Sequence, residues 1–183
     1  MTQKTNEILT KELNEKGILR LTLDDPGTKN PLSELMMDNL ISEIDTASTD
    51  KEVKVIVIGS TGDVFCSGHN LKELKEANDT NKDKELFFLN LFQKCSKLMQ
   101  LIVNCPKPII AEVGGIATAA GCQLVASCDL AISSECAKFA TPGVNIGLFC
   151  STPMVSLSRN VSKKNSMNML LTGDMIAVSY THL

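Results

Sequence analysis

Apolar and polar residues alternate near the start of the chain, and the period then changes. Alternation over Ile8–Asn14 and Ile18–Asp24 predicts an antiparallel hairpin. From Ser33, a residue type that caps helices well, apolar positions recur at helical spacing through about Ala47. Val53–Ile58 is a short apolar run, rich in β-branched residues, that is typical of a buried strand. The first third of the chain therefore predicts a strand pair, a helix and a buried strand.

The middle of the chain predicts a long helix between two strands. The polar stretch Ala77–Lys84 is expected to be a mobile loop, and Lys84–Asn104 has the apolar face of an amphipathic helix. A second buried strand is predicted at Ile109–Val113. Gly114–Gly115 then opens a tight connection into Ala119–Ser127, a helix of small residues suited to close packing.

The last third repeats this pattern with shorter elements. Strands are predicted at Asp129–Ser133 and Lys138–Ala140, and helices at Thr152–Arg159 and Lys163–Leu171. Strands that alternate with helices predict an α/β fold. No linker-like or low-complexity stretch divides the chain, so residues 1–177 are expected to form one domain.

Composition narrows the function classes. Apolar residues make up 43% and charged residues 21% of the 183 residues, and the net charge is -3. This charge excludes the basic surface of a nucleic-acid binder. No apolar run is long enough to span a bilayer, and the polar start Met1–Glu15 lacks the apolar stretch of a secretory signal. We expect a cytoplasmic protein, or a mitochondrial one if it is eukaryotic and a transit peptide is missing.

The seven cysteines form no C-x-x-C pair, and the chain has only two histidines. A zinc site built from cysteine and histidine is therefore poorly supported, and no metal is predicted. We expect buried free thiols in a reducing compartment.

Two glycine-rich loops carry the candidate chemistry, Val64–Leu74 and Ala111–Leu124. Small residues let the backbone approach a ligand, and a helix that begins near Ala119 would direct unpaired N–H groups towards it. Two N–H groups that converge from separate loops form an oxyanion hole for a carbonyl oxygen. Two alternatives stay open: a phosphate-binding α/β module, although neither nucleotide fingerprint is present, and glycines that serve only close packing.

The order and spacing of the motifs resemble those of the crotonase (enoyl-CoA hydratase/isomerase) family. The matching segments are Phe65–Lys72, Gly114–Gln123 with Cys128–Leu130, Lys138–Pro142, Gly147 and Leu171–Asp174. The resemblance covers about Ile8–Ala177 and looks closest to a subgroup of enoyl-CoA hydratase domain-containing proteins. It implies a spiral of ββα units, followed by C-terminal helices that build a trimer or a dimer of trimers.

The resemblance also implies roles for single residues. The oxyanion N–H donors would be His69 and Ala120, where the family usually has glycine at the second position. The alanine keeps its N–H, so the donor survives unless the position needs a positive φ. The coenzyme A arm of the substrate would lie along four residues of the first loop: Ser67, Asn70, Leu71 and Lys72. No separate cofactor is implied.

The sequence departs from the family at its catalytic carboxylates. Gln123 and Gly143 stand where hydratases of the family have glutamates, and the carboxylate of the isomerase branch falls near Ser151. Glutamine can orient water but cannot accept a proton, and glycine can do neither. The resemblance thus implies either a weak or unorthodox hydratase acting in fatty acid metabolism, or a non-catalytic acyl-CoA-binding or regulatory member. The His69 ring is the one imidazole that could substitute.

Four other polar residues near the loops are expected to be structural. Cys122 and Cys150 would flank the pocket as inert thiols, because no base within reach can be named. Glu112 lies on a predicted strand, and Asp129 is typical of a turn or cap residue.

The end of the chain has an unusual pattern. Met175–Ala177 reads as a segment that leads into more protein, whereas Val178–Leu183 matches the translation of a common sequencing adaptor. We expect 178–183 to be a non-native tail and the trimer-forming helices to be missing, which would expose apolar surface. A homotrimer or hexamer is expected for the full-length protein and is doubtful for this chain.

Overall fold

The structure is a computed structural model that describes residues 3–6, 8–80 and 83–178. Most of the segment 178–183, predicted to be a non-native tail, lies outside the described residues. The strands are β1 Gln3–Asn6, β2 Leu9–Leu13, β3 Ile18–Leu23, β4 Val55–Ser60, β5 Val64–Cys66, β6 Ile109–Val113, β7 Ile116–Thr118, β8 Leu130–Ser133, β9 Lys138–Ala140 and β10 Ile176–Ala177. The helices are α1 Glu34–Thr49, α2 Leu71–Thr80, α3 Lys84–Val103, α4 Ala120–Ser127, α5 Ser151–Asn160 and α6 Lys163–Thr172.

The strands form two sheets, and successive units of the chain add one strand to each of them. The larger sheet has the order β1-β2-β3-β4-β6-β8, and the smaller has the order β10-β9-β7-β5. The predicted hairpin, β2 with β3, is antiparallel, whereas β3, β4, β6 and β8 are parallel neighbours. The pairs β4-β5, β6-β7 and β8-β9 each send one strand to each sheet before a helix follows. This is the predicted α/β spiral of ββα units.

The main core lies between the larger sheet and helices α1 and α3. Strand residues such as Leu21 and Ile58 and helix residues such as Met36 and Leu98 have no measurable exposure. Helix α1 begins where predicted, because the Ser33 hydroxyl accepts a hydrogen bond from the Met36 N–H at 3.1 Å. No helix of the described residues is long and apolar enough to cross a membrane.

The predicted loop at Ala77–Lys84 is wrong over its first half, because residues up to Thr80 belong to helix α2. The Asn70 side chain accepts hydrogen bonds from the Lys72 and Glu73 N–H groups and so starts this helix. Leu74 packs against the core, and Ala77 is buried. The polar composition of this segment hides the three-residue spacing between its apolar positions Leu74 and Ala77.

The predicted tight connection from Gly114–Gly115 into the helix contains a strand that the sequence pattern does not predict. Strand β7, of three residues, lies between them and pairs in parallel with β5 and β9. A Cβ on Gly115 would lie 2.1 Å from the Asp63 carbonyl oxygen, so this glycine permits the close approach of two loops.

Candidate functional site

The first glycine-rich loop turns sharply after β5. Gly68 has a φ of 91°, which favours glycine, and its carbonyl accepts a hydrogen bond from the Leu32 N–H at 2.7 Å. Leu32 and His69 form an isolated parallel bridge. The Ser67 N–H donates to the Lys29 carbonyl at 3.2 Å. These contacts fix the backbone on both sides of Gly68, and with it the His69 N–H.

The second loop turns at Ala119, between β7 and α4. Ala119 has a φ of 51° and a ψ of −122°, a conformation that an alanine adopts only under constraint. Its N–H donates to the Ala140 carbonyl at 3.0 Å, and its carbonyl accepts from the Gln123 N–H at 3.1 Å. The positive φ therefore lies one residue before Ala120, which is itself the first residue of α4. As the first N–H of that helix, the Ala120 donor has no acceptor within it.

The two loops touch at Gly68. A Cβ placed on Gly68 would lie 2.9 Å from the Ala119 Cβ and 3.2 Å from the Ala120 nitrogen. The Thr118 hydroxyl donates to the Ser67 carbonyl at 3.0 Å and ties the loops together. Because His69 follows Gly68 directly, it lies close along the chain to this contact, at the positive end of the α4 dipole. That the N–H groups of His69 and Ala120 converge on one ligand atom stays a prediction.

The His69 ring is buried beside helix α3. Its edge meets the Phe92 ring, with centroids 5.5 Å apart and planes at 83°. Neither ring nitrogen has a hydrogen-bond partner among the described residues. Burial lowers the pKa of His69 below its usual range. The nearby Leu32 carbonyl partly opposes this shift, although it does not form a hydrogen bond with either ring nitrogen. The ring is therefore neutral at neutral pH.

Gln123 lies in the first turn of α4 and is only 6% exposed. Its side-chain oxygen is buried, with no hydrogen-bond partner in the part of the chain that the structure describes. An unpaired buried acceptor is costly, which makes it a favourable place for a water molecule or a ligand donor. Gln123 can hold such a group but cannot accept its proton.

The other two positions of the family carboxylates offer no polar side chain inside the site. Gly143 has no room for one, since a Cβ there would lie 2.5 Å from the Leu148 carbonyl oxygen and 2.8 Å from the Cys150 sulfur. Ser151 is the first residue of α5 and is exposed.

The four residues predicted along the coenzyme A arm surround the start of α2. The Asn70 side chain is engaged as the cap of that helix, with its oxygen 3.1 Å from the Lys72 nitrogen. Leu71 is 68% exposed, Lys72 is exposed, and Ser67 is half-buried. All four lie on the loop that carries His69, and their contact with coenzyme A stays a prediction.

A cleft of about 610 Å³ lies beside Gln123, between helices α3, α4 and α5. Phe92, the aromatic partner of His69, forms part of its wall. Sequence reasoning missed Phe92, because the apolar face predicted for this helix is the one that packs into the core. It also missed Arg159, which lines the far end of the cleft, because a basic residue near a helix end is common.

The cysteines are all free, and three of them are buried. Burial raises the pKa of the Cys122 thiol to about 12, which makes it inert at neutral pH. Cys122 lines a second cavity, of about 340 Å³, on another side of α4, and neither Cys122 nor Cys150 is among the residues that line the cleft beside Gln123. Cys136 is exposed, which corrects the expectation that every thiol is buried. No cluster of metal-ligating side chains occurs in the described ranges.

The two other polar residues are structural. Glu112 forms a bidentate ion pair with Arg20, at 3.0 and 2.5 Å, and this pair lowers the pKa of the Glu112 carboxyl. The Asp129 carboxylate accepts a hydrogen bond from the Ile109 N–H at 2.8 Å, as expected of a residue that fixes a chain turn.

Comparisons with known proteins agree on one family. A model of the enoyl-CoA hydratase/isomerase family matches residues 13–180. Enoyl-CoA hydratase domain-containing protein 3, mitochondrial, from Xenopus laevis is 49% identical over 169 residues, which are 92% of this chain and 56% of that protein. The chain thus spans just over half the length of the curated relatives that it matches.

Solved structures show the same likeness. The human enoyl coenzyme A hydratase domain-containing protein 3 is 46% identical with a TM-score of 0.87, covering 95% of this chain and 66% of that one. An enoyl-CoA hydratase from Mycobacterium smegmatis is 42% identical with a TM-score of 0.88, again covering 95% and 66%.

Proposed function

This chain belongs to the enoyl-CoA hydratase/isomerase family, and on that premise we propose that it binds an acyl-CoA with the thioester carbonyl between the N–H groups of His69 and Ala120. One observation supports the proposal: a Cβ built on Gly68, the residue before His69, would lie only 3.2 Å from the Ala120 nitrogen, so the two loops meet beside both proposed donors. Donors fixed in this way stabilise the negative charge that develops on a carbonyl oxygen.

The reaction that this site would favour is slow hydration of a 2-enoyl-CoA. Gln123 would hold a water molecule through its unpaired oxygen. The two N–H groups that bond to the thioester carbonyl would withdraw electrons from the double bond. No carboxylate would take the proton from that water, and general acid–base help of this kind contributes about 10²–10⁴-fold. We therefore propose a hydratase-like protein of fatty acid metabolism with weak activity.

A second candidate function is acyl-CoA binding without turnover, in a regulatory role. The lack of space at Gly143 favours it, since no side chain there could supply the second carboxylate. Asp129, the one carboxylate among the described residues that line the cleft, is engaged with the Ile109 N–H.

The whole protein is proposed to be a homotrimer or hexamer, in the cytoplasm or the mitochondrion. The relatives' names support the mitochondrion, whereas the sequence alone favours the cytoplasm. Size measurement and organelle fractionation of the protein in its source cells would test these two points.

Substitution of Gly68 tests the carbonyl site. Gly68→Ala places a methyl group against Ala119 and forces the two loops apart, so affinity for crotonyl-CoA and longer 2-enoyl-CoAs should fall by about tenfold or more. Gly147→Ala is the matched control, because Gly147 also has a positive φ, of 77°, but has open space around it. Calorimetry measures binding, and loss of the enoyl-thioester absorbance measures hydration.

Three outcomes separate the candidates. Binding with slow hydration supports the weak hydratase, and binding without hydration supports the second function. Equal losses of affinity in Gly68→Ala and Gly147→Ala, or no binding by the unsubstituted chain, would refute the carbonyl site.

A further inference from the structure

The cleft adjoins the proposed carbonyl site, because its lining includes Gln123, three residues after Ala120 on α4, and Phe92, which contacts the His69 ring. Helix α5 forms its opposite wall and is held in place by a 3.0 Å hydrogen bond between the Ser127 and Ser156 hydroxyls. The Asn160 amide donates to the Ala126 carbonyl at 2.8 Å, near the last turn of α4. At about 1.5 Å per residue along α4, the end of α5 lies on the order of 10 Å from the Ala120 N–H. An acyl chain of medium length would span that distance.

The walls of this passage are mainly apolar and end at a cation. Phe92, Met99 and Val103 of α3 line it, and Arg159 of α5 lies at its far end. The Arg159 guanidinium donates one hydrogen bond, from Nη1 to the Val155 carbonyl at 2.7 Å. Since a guanidinium has five N–H donors, most of its donors remain available.

No acidic side chain among the described residues forms an ion pair with Arg159. Asp129 is the other charged residue that lines the cleft, and its carboxylate already accepts the Ile109 N–H. Arg159 is exposed and thus keeps free N–H donors at the far end of the cleft, where they can meet an anionic group.

We propose that the cleft selects acyl groups whose far end carries a carboxylate, and that Arg159 determines this specificity. The inference rests on the proposed function, because it concerns the far end of the same acyl group. The planar guanidinium matches a carboxylate through two parallel hydrogen bonds. The methylene chain between the two ends of the ligand lies against Phe92, Met99 and Val103.

Matched ligands test this specificity. Octanoyl-CoA and octanedioyl-CoA differ only in the terminal carboxylate, and both are saturated, so that hydration cannot disturb the measurement. Calorimetry on the 183-residue chain should show that octanedioyl-CoA binds about fivefold to tenfold more tightly. Arg159→Gln should reduce this ratio to about one, and Arg159→Lys should retain part of it.

Lys164→Gln is the matched control, because it removes the same charge from an exposed residue of α6 that does not line the cleft. It should keep the ratio. A ratio of one in the unsubstituted chain, or a ratio that Arg159→Gln leaves intact, would overturn the role of Arg159 while octanoyl-CoA binding still supports the proposed function. If the unsubstituted chain binds neither ligand, the proposed function itself is refuted. If Arg159→Gln does not fold, the ratios of the unsubstituted and Arg159→Lys chains decide.

Discussion

At the scale of single residues, the largest change in chemistry is expected at Gln123, where replacing the amide nitrogen by an oxygen gives a carboxylate. Gln123→Glu places a carboxylate at a buried position beside the cleft, where burial raises its pKa and makes it a better base. We expect hydration of crotonyl-CoA to rise by about 10²-fold, and the free energy of unfolding to fall by about 1–3 kcal/mol. Turnover assays and chemical denaturation measure the two effects.

The control for this variant is Gln93→Glu, which makes the same change on the exposed surface of α3, outside the cleft. Gly143→Glu should add no activity, because its side chain would collide with the Leu148 carbonyl. If Gln123→Glu hydrates no faster than Gln93→Glu, the missing carboxylate does not explain weak activity.

The His69 ring predicts a pH dependence of stability. Its folded-state pKa is lowered by burial, so the unfolded chain binds a proton more readily. The neutral ring contributes its full stability above about pH 6.5, and the free energy of unfolding should fall as the pH drops below that value. It should stop falling, for this group, once the pH is below the folded pKa. Denaturation curves of the unsubstituted chain and of His69→Phe should diverge over this range, and parallel curves would contradict it.

At the scale of elements, the start of α2 makes a separate prediction. Asn70→Ala removes the acceptor for the Lys72 and Glu73 N–H groups and should destabilise the chain by about 1 kcal/mol, whereas Asn70→Asp keeps the cap. Hydrogen exchange of the first turn of α2 should accelerate in Asn70→Ala alone. Equal protection in both variants would show that Asn70 does not hold this helix.

The elements also show how far the sequence could be read. The hairpin, α1, α3 and the buried strands follow from periodicity, which is strong in long or regular segments. Helix α2 and strand β7 do not, because one has a polar composition and the other has only three residues. Tertiary contacts at Leu74 and Gly115 decide both elements, and such contacts leave little trace in a local pattern.

Some features of the candidate site could likewise be predicted from the sequence, and others could not. Two ordered loop motifs, with the shorter segments that follow them, were enough to identify the family, and the comparisons confirm that resemblance. The lack of space at Gly143 could not be predicted, since it depends on a carbonyl five residues away, at Leu148. The position of Arg159 in the cleft depends on how α5 packs against α4, through contacts such as that between Ser127 and Ser156. The catalytic and binding roles stay predictions.

At the scale of the whole molecule, exposed apolar residues predict that copies of the chain associate in solution. Leu130 and Ile132 on strand β8, at one edge of the larger sheet, are 60% and 63% exposed, and Leu148 is 64% exposed. Exposed apolar residues of this kind on an edge strand promote association. We expect sedimentation of the 183-residue chain to show a mixture of sizes, and Ile132→Lys to narrow it. A clean, monodisperse trimer of the unsubstituted chain would contradict this account.

The central claim is that the thioester carbonyl lies between the N–H groups of His69 and Ala120. Infrared difference spectra of octanoyl-CoA labelled with carbon-13 at the carbonyl report that contact directly, since hydrogen bonds to the oxygen weaken the C=O bond. The bound ligand should show a carbonyl band at lower frequency than the free ligand, and Gly68→Ala should reverse most of this shift while Gly147→Ala leaves it intact. A bound carbonyl band at the frequency of the free ligand would contradict the claim.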